Sequence, residues 1–447
     1  MKAIVRIGAG SGFQGDRLDP AVILASQGEL DYLVFECLAE RTIALAQLRR
    51  LADPGAGFDP LLEKRLGPLL AIAKRNGIRI VTNMGAANPL AAGREVLSLS
   101  KQWGLKIKVA VVTGDDVLHL TAPETRTIEA RGAPLSEYGA LVSANAYLGA
   151  EAIVPALATG ADVVITGRVA DPSLFLAPLV HEFGWRLDDW NRLARGTVVG
   201  HLLECAGQVT GGYFADPGRK DVANLAQLGF PWCDVDADGN GVLGKVAGTG
   251  GAITLRTAKE QLLYEVTDPG GYMTPDVVAD FTSVRLAESG PDRVAVGGAR
   301  GRPRTASLKV SVGYRAGFVG EGEISYAGAH AKERARLAGD IVRERLRDDV
   351  PDLRIDLIGV DSSHRTDFNH PAPYEARMRA AGRTKTRELA ERVGAEVEAL
   401  WTNGPAAGGG VTKSAHERIG VVSMLLDRSR VRPAVTLLEQ DRETQAA

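Results

Sequence analysis

Short runs of aliphatic and β-branched residues recur through the first third of the chain, each closed by Gly, Asn or Asp and followed by a stretch with helical spacing. The runs at 3–7, 31–38, 78–83, 107–112 and 161–166 read as buried strands, and 19–27, 40–51, 60–75, 90–103 and 146–158 as helices. Strands alternating with helices predict an α/β fold, with a mostly parallel sheet flanked by helices in the N-terminal part. An open doubly wound sheet is the first expectation, with barrel-like closure as the alternative. Beyond 220 the pattern changes: 233–257 is rich in turn residues and 264–281 is irregular, while 307–312, 321–326 and 353–360 alternate as strands. Helical patterns at 329–346 and 384–400 and strand-like runs at 419–426 and 432–438 complete an α+β pattern. The Gly/Pro/Arg run 297–304 is the best linker, so the division expected is a ligand-binding or catalytic α/β domain over 1–304 and a smaller α+β C-terminal domain over 305–447.

Composition narrows the class. At 447 residues the chain exceeds one typical compact domain, and 53 basic against 55 acidic residues argue against a nucleic-acid or membrane-surface partner. Three cysteines, Cys37, Cys205 and Cys233, show no CxxC spacing, so neither a disulfide framework nor a zinc site is expected. With no signal-peptide pattern and no apolar run near ~20 residues, a cytoplasmic protein is expected.

The chemistry-bearing residues gather between 160 and 218. There GADVVITGRVADPS ends a strand in Gly167-Arg168 and opens a helix at Asp171-Pro172, where Asp171 is expected to cap. Ligands of α/β sheets sit where strands end and helices begin, and Arg168 is placed to hold an anion there. His201, Glu204 and Cys205 follow on a helix expected to break at Gly211-Gly212; His201 shares a face with both partners. Glu204 or Asp171 is the candidate base, and Cys205 or His201 the candidate acid, with a Cys205 thiolate favoured near a helix terminus. The first strand leads into a literal G-x-G-x-x-G at Gly10, Gly12 and Gly15, with Glu36 where a ribose-binding acid would sit. The helix signal at Asp19-Pro20 comes too late for a dinucleotide fold, which leaves a Gly loop for an anionic or acyl ligand, faced by Asp16 and Arg17. Asn83 and Gly85, at the end of the third strand, complete the candidate binding set. Two further motifs have plainer readings: 234–239 imitates a calcium loop but has Lys245 where the closing Glu belongs, and Asp361, Ser362, Ser363, His364 and His370 suit a side-chain-braced loop.

The pieces IGAGSGFQGDR, DYLVFECLAE, TNMGAANP, VITGRVADPSLFLAPLVHEFGW, GHLLECAGQVTGGYF and TNGPAAGGG together resemble the acyclic terpene utilisation AtuA family, over positions 7 to 433. The resemblance implies breakdown of citronellol- and geraniol-type terpenoids through CoA thioesters; it assigns no catalytic residue.

The expected function is a lyase or hydratase acting on an acyl-CoA or branched carboxylate. It needs no cofactor beyond CoA as part of the substrate and no metal, and a homo-oligomer is expected. Two rivals stay open: a non-catalytic acyl-ligand-binding or complex-forming subunit, and a nucleotide-dependent oxidoreductase.

Overall fold

A computed structural model describes residues 2–129, 131–366 and 373–440 in full, and the backbone of 442–446. Its elements in chain order are β1 (Ile4–Ser11), α1 (Asp19–Gln27), β2 (Tyr32–Phe35), α2 (Glu40–Ala52), α3 (Leu62–Asn76), β3 (Arg79–Thr82), α4 (Pro89–Gln102), β4 (Val109–Thr113), β5 (Leu141–Ala146), α5 (Ala150–Ala158), β6 (Val163–Thr166), α6 (Asp171–Phe183) and α7 (Trp190–Leu203). There follow β7 (Pro231–Asp236), β8 (Gly241–Lys245), α8 (Leu255–Leu263), β9 (Tyr272–Met273), β10 (Val278–Asp280), β11 (Arg285–Gly290), β12 (Arg293–Gly297), β13 (Arg300–Arg302), β14 (Ser307–Ala327), α9 (Ala331–Arg345), β15 (Arg354–Ile358), β16 (Glu375–Thr384), α10 (Arg387–Asn403), β17 (Gly409–Asp427), β18 (Ala434–Glu439) and β19 (Arg442–Ala446).

The chain is mixed α/β. Its largest sheet has 11 strands in the order β11-β12-β8-β7-β1-β2-β3-β6-β4-β18-β19. The pairs β1–β2, β2–β3, β3–β6 and β6–β4 are parallel; the pairings on either side of them are antiparallel. The sheet as a whole is therefore mixed rather than mostly parallel, because the stretch read as turn-rich folds into hairpin strands β7 and β8, and β11 and β12 beyond it extend the same side of the sheet. The middle strands are apolar throughout because both faces are covered: every residue of β2 and of β6 is buried. By contrast β11 is largely exposed, as an edge strand can be.

The residues group into two compact units. The larger comprises Met1–Glu137, Leu141–Gly313 and Val421–Ala447, and the smaller Tyr138–Ala140 and Tyr314–Gly420. The sequence pattern divides the chain once, at 304/305. In the structure the last strands return to the first unit, because β18 pairs with β4 from Ala434 opposite Thr113 to Leu438 opposite Val109. In the smaller unit α9 and α10 cover an antiparallel sheet around a core that includes Ile324, Tyr326, Ala338, Val342, Met378 and Val397.

Helices α6 and α1 begin one residue earlier than their Asp-Pro signals suggest. Asp171 and Asp19 are the first helical residues, not the caps; the caps are Ala170 and Leu18, neither of which makes a side-chain capping bond. The carboxylate of Asp171 is thereby free of the capping role expected for it. Helix α7 also stops earlier than expected, at Leu203, and Glu204 is its C-cap. The calcium-like stretch forms the β7–β8 hairpin turn, with Asp236 Oδ1 accepting from the backbone of Asp238 and Asn240. In the smaller unit Asp361 accepts from the Leu357 N–H, bracing its own loop; His370 lies outside the described residues. Among the described residues no helix is long and apolar enough to cross a membrane.

Candidate functional site

A cavity of about 910 Å³ opens at the carboxyl ends of β1 and β2, within the larger unit. Its wall is built from the β1–α1 loop (Gly12 to Arg17), the segment after β2 (Glu36 to Glu40), the first residue of α6 (Asp171), the segment leaving α7 (Glu204 to Gln208), and Tyr264 with Glu265. The volume is that of a pocket for a small ligand, and the position is where α/β sheets seat one.

The β1–α1 loop is fixed from two sides. Arg65 of α3, fully buried, donates to the carbonyls of Gln14 (3.0 Å) and Asp16 (3.2 Å) and to Cys37 Sγ (3.2 Å). Gly12 lies against the backbone of Cys205, where a Cβ would fall 2.6 Å from the carbonyl carbon. A glycine is therefore required here by close approach. Its N–H donates to Asp16 Oδ2 at 2.8 Å, so an internal carboxylate already fills the place of a phosphate. Gly10 lies within β1, where a Cβ would meet the Phe35 ring at 2.4 Å. These glycines serve packing, and the geometry gives no support to a dinucleotide loop.

Arg168 is not the open anion holder expected from the sequence. It is buried, its Nη2 pairs with Asp171 at 2.7 Å, its Nη1 donates to the Leu38 carbonyl, and its guanidinium lies 4.0 Å from the centroid of the Tyr147 ring. Although burial works against its charge, the carboxylates of Asp171 and Glu40 hold it protonated. Tyr147 in turn donates to Glu40. Burial raises Glu40, but the Tyr147 hydroxyl and Arg168 outweigh it and hold this carboxyl down to about 2. Burial raises Asp171, with Arg168 opposing.

Glu204 and His201 form the second polar group. His201 Nδ1 and Glu204 Oε1 are 2.8 Å apart, and the imidazole, 1% exposed, packs against the touching rings of Tyr272 and Phe281 at 5.4 Å from each. Burial pushes Glu204 up to about 7, against the pull of His201. Its place at the C-terminus of α7 adds to the rise, since that end of a helix disfavours an anion. Burial and the neighbouring Glu204 also push the Cys205 thiol up, so this residue is a thiol and not the thiolate expected from its sequence position. Glu204 Oε2 and His201 Nε2 are buried without a hydrogen-bond partner among the described residues.

The expected site residues divide accordingly. Gly12, Asp16, Arg17, Asp171, Glu204, Cys205 and Gly212 line the cavity together. His201 and Arg168 stand directly behind it, bonded to Glu204 and Asp171. Asn83 is also behind the wall, donating to Glu36 Oε1 (3.0 Å) and accepting from the Cys37 N–H (2.8 Å). Gly10, Gly85, Gly167 and Gly211 do not line it. A Cβ on Gly85 would press on the Thr166 carbonyl, on Gly167 on the Asp115 carboxylate, and on Gly211 on Val222.

Sequence reasoning missed Glu40, Tyr213, Tyr264 and Glu265 as lining residues and gave Glu36 a ribose-binding role. An acid closing an apolar strand was the available signal for Glu36; the others have none. Ala206, Tyr213 and Glu265 all take left-handed backbone angles at or beside the cavity (φ 41°, 59° and 58°). Strain of this kind gathers at functional sites. Six carboxyls (Asp16, Glu36, Glu40, Asp171, Glu204, Glu265) face Arg17 as the lining cation, an unfavourable setting for a free carboxylate. Even so, among the described residues no group of three or more His, Cys, Asp or Glu is arranged to hold a metal.

Comparison with curated proteins and with solved structures found no match. The family described as "Acyclic terpene utilisation family protein AtuA" matches residues 5–437, nearly the entire length. On that extent of agreement, the chain belongs to the AtuA family.

Proposed function

We propose that the protein is a lyase or hydratase acting on an acyl-CoA thioester in the breakdown of acyclic terpenoids. The observation that carries the reading is the Glu204 carboxyl, held near neutrality in its protonation and bonded to His201 in the wall of a ligand-sized cavity. A base poised near the working pH is what removal of a proton beside a carbonyl demands. The family's description supplies acyclic terpene utilisation as the setting; the acyl-CoA form of the substrate is part of the proposal. The acidic lining favours an uncharged acyl group in the cavity over the branched carboxylate that was the other expectation.

In this mechanism the Glu204 carboxylate takes the α-proton and the C–H electron pair passes toward the thioester carbonyl. The Cys205 thiol gives its proton to the departing hydroxyl, which leaves as water. The proton on Glu204 then returns to the Cys205 sulfur, and hydration runs these steps backwards. His201 is a positioning residue, since it touches Glu204 and not the cavity.

The test is incubation of the purified protein with 3-methylcrotonyl-CoA and with a longer geranyl-type enoyl-CoA, in deuterium oxide, followed by mass spectrometry. Gain of water and of deuterium at the α-carbon, both lost in Glu204→Gln, is the expected result. Neither change with either ester would remove the proposal, and tight ester binding without turnover would favour a binding subunit instead.

A further inference from the structure

The acid–base steps leave one buried carboxyl of the cavity wall unused. Glu36 follows β2, is 7% exposed and lines the cavity. Its Oε1 accepts two hydrogen bonds, from the Leu38 N–H (2.8 Å) and from Asn83 Nδ2 (3.0 Å). An oxygen already receiving two N–H groups is the poorer place for a proton, so a proton on this carboxyl belongs on Oε2, which neither bond uses.

The surrounding charges decide which carboxyl holds that proton. Arg168 and Asp171 approach Glu36 from the β6–α6 connection, Cys37 from its own segment and Cys205 from the end of α7; Glu40 lines the same cavity. Asp171 takes the Arg168 ion pair at 2.7 Å and stands in the first turn of α6, and both features favour its anion. Glu36 receives uncharged donors instead. Burial first, and then the charge of Asp171, push it up to about 8, with Arg168 opposing.

Resting on the enolate-forming reading above, we infer that Glu36 is a hydrogen-bond donor, through Oε2, to the thioester carbonyl oxygen of the ligand. As Glu204 removes the α-proton, negative charge develops on that oxygen, and a neutral carboxylic acid beside it stabilises the charge without giving up its own proton. Asn83 is the positioning residue: it and the Leu38 N–H fix which oxygen faces the ligand.

Glu36→Gln separates this role from others, because an amide keeps the Oε1 acceptor for Leu38 and Asn83 and presents a permanent N–H donor in place of Oε2–H. Two measurements apply. An infrared difference spectrum between the native protein and Glu36→Gln, without ligand, should contain the carbonyl band of a neutral carboxylic acid at pH 7, fading as pH rises through about 8. Absence of that band at pH 7 overturns the inference, and this reading stands whether or not any ester turns over. In the deuterium-exchange assay with 3-methylcrotonyl-CoA, Glu36→Gln should keep a rate within about tenfold of native and lose the decline above pH 8, while Glu36→Ala should fall roughly a hundredfold or more. If native protein exchanges and Glu36→Gln is as slow as Glu36→Ala, Glu36 acts as a proton acceptor and the donor role is wrong. No exchange by the native protein would count against the proposed reaction alone.

Discussion

Alanine at Gly12 tests whether the cavity depends on the contact between the β1–α1 loop and the end of α7. The added Cβ would lie 2.6 Å from the Cys205 carbonyl carbon and 2.8 Å from its Cα and O, where ordinary contact begins at 3.4 Å. Something must yield by roughly 1 Å, and the atoms in the way are backbone, so no side-chain rotation relieves the clash. Overpacking of this kind costs about 1–3 kcal/mol, and a displacement of about 1 Å at a reacting group lowers turnover on the order of a hundredfold. Urea unfolding and α-proton exchange on one preparation read both effects. Gly10→Ala is the control: its Cβ would press on the Phe35 ring instead of Cys205, so stability should fall with a smaller loss of exchange. A Gly12→Ala protein as stable and as active as native would refute the idea that this glycine holds the site together.

Three further outcomes rest on the charged groups. Exchange should rise with pH as Glu204 ionises through about 7; because His201 pulls that value down, His201→Asn should shift the acid limb of the pH–rate profile to higher pH, and an unmoved limb would contradict the assigned contact. Arg168→Met leaves Asp171 without its cation and the Leu38 carbonyl without its donor, and should lower stability by about 3 kcal/mol in urea unfolding; a loss under about 1 kcal/mol would show the pair to be incidental. Glu36 binds its proton more tightly folded than unfolded, so its contribution to stability is complete below about 4.5 and is lost as pH rises through about 8. Glu36→Gln should therefore gain on the native protein across that window, approaching roughly 1.4 kcal/mol per pH unit, and parallel stability curves would argue that Glu36 is ionised throughout.

The strands nearest the site were legible because they are buried on both faces, so Tyr32–Phe35 and Val163–Thr166 carry no polar interruption that could hide them. The hairpins from Pro231 to Gly297 were not, since short strands joined by Asp- and Gly-rich turns look like loop, and of these only β11 lies at the sheet edge. Long β14 read as two short strands because Gly313, Gly317 and Gly320 interrupt its pattern between 312 and 321; a Cβ at Gly320 would meet Ala390 of α10, a contact no local pattern discloses. The return of β18 to β4 is equally non-local. Within the site, Glu204, Cys205 and Asp171 were found by residue type and position. Arg168 was found but misread, because its partners Asp171 and the Leu38 carbonyl are brought to it only by the fold.

The most direct test of the account is a crystal structure of the protein with a non-hydrolysable thioether or amide analogue of 3-methylcrotonyl-CoA. The acyl carbonyl oxygen should lie within hydrogen-bond distance of Glu36 Oε2, with the α-carbon facing Glu204 and Cys205 and the CoA phosphates outside the carboxylate-lined cavity. An acyl group bound elsewhere, or phosphates seated among Glu36, Asp171 and Glu204, would contradict it.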